Sequence, residues 1–189
     1  MATNFGSLVD QFFDHDIYFR NKTLMISGDV DEKLSKKVIK GLHVLDSIKP
    51  DESIIIILNS PGGDVDHGLA IYDAIRSCRS HVEIRVYGVA MSMGSVILQA
   101  GDSRIISPHS RLMIHYGSVS LDHTTVDAIR FMEEMKDLDI LIENIYLRRI
   151  KEKHPRFSRN KLKELLKHDC YLSAKEAVDQ GLADKALIL

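Results

Sequence analysis

Apolar residues recur along the chain in two periods, one fitting strands and one fitting helices. Residues 23–30, Thr-Leu-Met-Ile-Ser-Gly-Asp-Val, read as a strand. A helix is predicted from about Asp31 to Ile48, where Leu34, Val38, Leu42 and Leu45 form one helical stripe. Asp31 suits its N-cap, and Lys49-Pro50 ends it because proline disfavours helix in the residue before it. Ser53 to Leu58 is a β-branched run that predicts a strand buried on both faces, broken by Asn59-Ser60-Pro61-Gly62-Gly63. A helix through Leu69, Ile71 and Ile75, a strand from Val82 to Val89 and a short apolar helix from Gly94 to Ala100 follow. Two short strands, Ile105-Ile106 and Leu112 to His115, flank the turn Ser107-Pro108-His109-Ser110. A long helix is predicted from about Thr124 to Lys153, with Val126, Ile129, Met132, Met135, Leu138, Ile142 and Ile145 on its apolar face and Pro155 as its stop. Helices over Ser158–Lys167 and Ser173–Gln180 close the chain. Ser158 and Ser173 suit N-caps, Glu176 completes a capping box, and Gly181 suits a C-cap.

Strands alternating with helices argue an α/β fold with a largely parallel sheet. No internal repeat or low-complexity linker divides the chain, so one domain over residues 1–189 is expected. A helix as long as that after Thr124 is often an oligomerisation element.

Composition narrows the class without choosing a function. At 189 residues, 44% hydrophobic and 28% charged, the chain can bury a core without disulfides or metal. Its net charge of −2, from 25 basic and 27 acidic residues, opposes nucleic-acid binding. Cys78 and Cys170 form no CxxC pair and suit a reducing compartment. The polar N-terminus lacks signal-peptide order, and Ile54 to Leu58 is too short an apolar run to cross a bilayer, so a cytoplasmic protein without a membrane role is expected. Histidine spacing gives no metal site.

Four segments carry candidate chemistry. In Gly88-Val89-Ala90-Met91-Ser92-Met93-Gly94 a serine lies between an apolar strand and an apolar helix. A serine on such a turn is exposed near N–H groups able to stabilise an oxyanion, although a capping serine in a small-residue turn fits as well. Asn59-Ser60-Pro61-Gly62-Gly63 offers close backbone approach, with an N–H for an oxyanion or a phosphate, or it is a plain turn. His115 ends the segment Met113-Ile114-His115, and Asp169 precedes a capped helix. Nucleophile, base, acid and oxyanion loop are all present, but spacing alone does not bring them together.

In this order, N-S-P-G-G, then G-x-A-x-S-M-G, then M-I-H, then D-x-Y-L-S-A-x-E-A-x-x-x-G-L-A-D, the segments resemble the proteolytic subunits of Clp proteases, the ClpP family, from about Phe13 to Asp184. The resemblance implies a ClpP/crotonase-like fold of repeated β-β-α units with a protruding handle helix. It implies a segment of about residues 1–12 before the domain and a handle region over about 122–154. It implies Ser92 as nucleophile, His115 as general base and Asp169 as the group orienting it. Backbone N–H groups of Gly63 and Met93 would form the oxyanion hole, and Gly62, Asp64 and Val65 would bind an extended peptide or unfolded protein, with no metal or other cofactor. It further implies a homo-oligomer of two stacked heptameric rings and an AAA+ unfoldase partner.

The chain departs from the family at several points. His115 is followed by Tyr116-Gly117-Ser118-Val119 instead of Gln-Pro and a glycine pair. His168 replaces an arginine that would reach the opposing ring; a histidine there either makes ring stacking sensitive to pH or is simply exposed beside the active site. Ile55, Ile57 and Ser77 stand where aromatic residues of the unfoldase-docking pocket are found, so docking is expected to be poor. A catalytically silent ring subunit, or a related protease of the signal-peptide-peptidase or phage head-maturation type, is the alternative.

Overall fold

The computed structural model describes residues 16–48, 51–117 and 124–187. The expected segment 1–12, the helix stop at Lys49-Pro50, Ser118-Val119 and the first two handle residues, 122 and 123, lie outside these. The elements are β1 (Ile17–Tyr18), β2 (Thr23–Val30), α1 (Glu32–Ser47), β3 (Ile54–Gly63), α2 (Val65–Arg76), β4 (Val82–Met91), α3 (Met93–Leu98), β5 (Ser103–Ile106) and β6 (Arg111–Ile114). They continue with α4 (Thr125–Lys153), α5 (Arg159–Leu166), β7 (Cys170–Ser173), α6 (Ala174–Gln180) and β8 (Lys185–Ala186). The fold is α/β with a largely parallel sheet, as the sequence predicts.

Local chemistry places the element ends. Asp31 accepts a hydrogen bond from the Leu34 N–H at the start of α1, 2.7 Å away. Ser173 and Glu176 form the expected capping box, and Gly181 closes α6 at φ 79°, a left-handed conformation that favours glycine.

The sheet runs β1-β2-β3-β4-β5-β8, with β2, β3, β4, β5 and β8 parallel and β1 antiparallel. Strand β4 is longer than either neighbour on its outer side. Its first half pairs with β5 and its last residues with β6. Register sets Ile54, Ile56 and Leu58 beside Val82, Ile84 and Val86, and all six are buried against the helices. The opposite face is different. Ile55 and Ile57 are half-buried there and lie beside Glu83 and Arg85, which pair with each other at 2.6 Å. The β-branched run is therefore fully covered on one face only, contrary to the expectation of burial on both.

Strand β3 also continues through Asn59 to Gly63, where the sequence predicts a break. Register shifts against both neighbours accommodate Pro61 and the glycines, because a bulge frees a residue from the ladder. The two-residue strands β1 and β8 and the four-residue β7 are too short to leave a period in the sequence.

Buried Arg104 ties the chain end to the sheet. It donates to Asp184 at 2.5 Å, to the Gln99 side chain at 2.7 Å and to the Gly181 carbonyl at 3.1 Å. Arg149 of α4 donates to the Gln99 and Gly101 carbonyls. Helix α4 is anchored by its C-terminal half alone. Ile145, Tyr146, Leu147 and Ile150 are buried, whereas Val126, Ile129, Met132, Ile140 and Leu141 are exposed. The predicted apolar face thus splits into a packed part and a part that stands clear of the core.

Ile84, fully buried on the central strand, is the sharpest probe of this packing. Ile84→Ala is expected to lower unfolding stability by about 2–5 kcal/mol. Urea denaturation checks this, with a lower midpoint and an unchanged slope.

Candidate active site

Two pairings of β6 assemble the site. Its parallel pairing with β4 sets Met91 beside Met113. Ser92 and His115 therefore leave two adjacent strands at the same end. Its antiparallel pairing with β7 sets Ile114 opposite Cys170. One further step in that register brings Asp169 opposite His115. Residues 23 and 54 positions apart in sequence are thereby brought into contact.

The resulting row is hydrogen-bonded. The His115 Nε2 lies 3.0 Å from the Ser92 Oγ, and the His115 Nδ1 lies 3.1 Å from the Asp169 Oδ1. The Tyr171 hydroxyl donates to the other Asp169 oxygen at 3.3 Å. The row is open to solvent at the Asp169 end and half-buried at the serine end.

Ser92 occupies a sharp turn at φ 49° and ψ −124°, between β4 and α3. For a residue with a Cβ this backbone costs about 1–3 kcal/mol and must be held by its surroundings. The Ser92 N–H donates to the Met113 carbonyl at 3.0 Å, and its carbonyl accepts from Ser95 and Val96. The turn pushes the hydroxyl out toward His115, as in a nucleophile elbow.

The glycine pair closes the other side. A Cβ on Gly62 would lie 2.7 Å from the Ser92 Cβ and 2.9 Å from the Met93 nitrogen. A Cβ on Gly63 would lie 2.5 Å from the Val30 carbonyl oxygen. Both positions exclude any side chain. The Val30 carbonyl accepts from the Asp64 N–H. The Met93 N–H belongs to the first turn of α3, which has no intrahelical partner. Gly63 and Met93 both line the cleft of about 290 Å³ that holds Ser92 and His115.

The residues expected to bind substrate differ among themselves. Val65 lines the cleft. The Gly62 N–H is already bonded to the Ser60 hydroxyl at 3.1 Å. Asp64 caps α2 by accepting from the His67 N–H at 3.0 Å. His168 is exposed and without a partner among the described residues. Among the described residues no metal-ligand cluster exists, and no helix is long and apolar enough to cross a membrane.

Two supports escaped the sequence reading. The Tyr116 N–H donates to the Leu166 carbonyl at 2.8 Å, and its hydroxyl donates to Glu143 at 2.6 Å. Glu143 is buried on α4 and accepts from Arg159 at 2.7 Å. These bonds fix the residue that follows His115. Tyr171, two residues after Asp169 on the same strand face, is the second support. Its position in the D-x-Y motif was the available signal; Glu143, on a distant helix, left none.

A hydrogen-bonded Ser–His–Asp row at the strand ends of an α/β sheet is the arrangement of a serine hydrolase. The Clp protease family model matches residues 11–188. An ATP-dependent Clp protease proteolytic subunit of Deinococcus radiodurans is 35% identical over 179 residues, covering 92% of this chain and 85% of that protein. The chain belongs to the Clp protease family and is a serine-type peptidase.

Burial acts first on both members of the Tyr116–Glu143 pair and would raise both. It and the adjacent carboxylate push the tyrosine hydroxyl well above its ordinary range. For Glu143, hydrogen bonds from Tyr116 and Arg159 outweigh burial and hold the carboxyl below its usual value. A depressed carboxyl stabilises the fold above its unfolded value, and that contribution is lost as pH falls through the lower folded value. Wild-type stability is therefore expected to fall from about pH 4.5 downward. Glu143→Gln should be less stable at neutral pH and show a shallower slope across that window. Equal slopes in urea titrations would contradict the assignment.

Proposed function

We propose that Ser92, His115 and Asp169 are the catalytic triad of an endopeptidase that cleaves peptides or unfolded proteins. The observation that carries this reading is the continuous hydrogen-bonded row, 3.0 Å and 3.1 Å long at its two links. His115 takes the Ser92 proton as the Ser92 Oγ attacks the scissile carbonyl. Asp169 holds the His115 ring by its Nδ1–H and stabilises the imidazolium that forms. The Gly63 and Met93 N–H groups stabilise the tetrahedral oxyanion, a contribution of roughly 3–4 kcal/mol per donor. His115 then returns the proton to the leaving amine, leaving an acyl-enzyme on Ser92 that water hydrolyses. The substrate lies extended along the end of β3, past Gly62, Asp64 and Val65.

The same reading places the chain in two stacked heptameric rings that enclose the sites. The exposed apolar residues at the free end of α4, among them Val126, Ile129 and Met132, favour it, because a contiguous apolar surface of this kind marks an interface. The relative is named as the proteolytic subunit of an ATP-dependent protease, and the family resemblance supplies an AAA+ unfoldase as the candidate partner. Against tight docking stand half-buried Ile55 and Ile57 and exposed Ser77, which offer no aromatic anchor.

Ser92→Ala is expected to lower turnover of a short fluorogenic peptide by on the order of 10⁶ while leaving the sedimentation profile intact. Unchanged turnover would reject the triad. A purified Clp-type unfoldase, mixed with this protein and ATP, is expected not to drive degradation of a folded substrate. Robust ATP-dependent degradation would contradict the docking argument.

A further inference from the structure

The cleft at Ser92 does not end at the hydrogen-bonded row. It opens into a second lobe of about 450 Å³ between the start of α2 and the free half of α4, and the two lobes share Val65, Gly117 and Ile142. A peptide held at Ser92 has this lobe within reach of a side chain close to the scissile bond.

The lining has two parts. Met135, Leu138 and Ile142 give it an apolar wall. Every charged residue that lines it is acidic: Asp64, Asp66, Glu134 and Asp139. Among the described residues, the carboxylates of Asp66, Glu134 and Asp139 have no hydrogen bond or ion pair, while Asp64 is occupied as the cap of α2. Asp139 is half-buried, and burial followed by the neighbouring Glu143 pushes its carboxyl up, with Lys163 on α5 opposing. Asp66 and Glu134 are exposed at the rim of the lobe. A half-enclosed carboxylate that Lys163 compensates only in part is costly to charge, and a cation delivered from outside lowers that cost. An apolar wall with a carboxylate rim matches a long aliphatic stem that ends in a charge.

We propose that this lobe is a specificity pocket that selects lysine or arginine next to the scissile bond. The proposal rests on the reading of Ser92 as the nucleophile, because that residue defines where the peptide lies. The stem of the basic side chain packs on Met135, Leu138 and Ile142, and its charge sits among Asp66, Glu134 and Asp139. Acidic side chains are repelled, and neutral ones of the same length gain only the apolar contact.

Binding separates this proposal from the catalytic one. Peptide pairs identical except for lysine or norleucine, scanned through the positions flanking the scissile bond, are titrated calorimetrically into Ser92→Ala protein. At one position the lysine peptide is expected to bind roughly tenfold more tightly, with the advantage shrinking at high salt. The advantage should disappear in protein that also carries Asp66→Asn and Glu134→Gln. Equal binding at every position, no binding of either peptide, or a lysine preference that survives the added substitutions overturns the pocket. Hydrolysis of the norleucine peptides by wild-type protein reports separately on Ser92. Its absence alongside a retained lysine preference would reject the catalytic reading and leave the pocket standing.

Discussion

Strand β6 has four residues, and its two pairings decide the site. Parallel pairing with β4 aligns the exits of Ser92 and His115, and antiparallel pairing with β7 sets Asp169 opposite His115. A slip of one residue in either register would turn a member of the row to the other face of the sheet. The surrounding structure reads as support for those registers. The buried isoleucines and valines of β3 and β4 fix the sheet, and the Arg104–Asp184 cluster holds the chain end beside β5. Tyr116, the residue after His115, is tied to α4 through Glu143 and to α5 through the Leu166 carbonyl.

The second constraint is steric. The end of β3 approaches the Ser92 turn so closely that neither Gly62 nor Gly63 has room for a Cβ. The unfavourable backbone at Ser92 and the crowding at the glycines belong to one arrangement, in which packing energy from the sheet sustains a strained turn.

Much of this was legible in the sequence, for identifiable reasons. Helices announce themselves by period and caps, so Asp31, Ser158, Ser173 and Gly181 mark ends that the structure keeps. The four motifs pointed to the family, and each expected member of the row is in it. Three features were hidden. The continuation of β3 through Pro61 depends on bulged pairing with β2 and β4, which no local pattern encodes. The strand β7 is too short to show alternation, so Asp169 read as a residue before a helix when it in fact precedes a strand. The division of α4 into anchored and free halves is invisible to a period that runs unbroken from Val126 to Ile145, because the pattern records apolar positions and not what covers them.

The account stands or falls on Ser92 as an activated nucleophile beside two N–H donors. Reaction with a fluorophosphonate, followed by peptide mapping and a crystal structure of the adduct, tests this most directly. The expected result is a single adduct on the Ser92 Oγ, lost in His115→Ala, with the phosphoryl oxygen between the Gly63 and Met93 nitrogens. An unlabelled protein, an adduct on another residue, or a phosphoryl oxygen turned away from both nitrogens would contradict it.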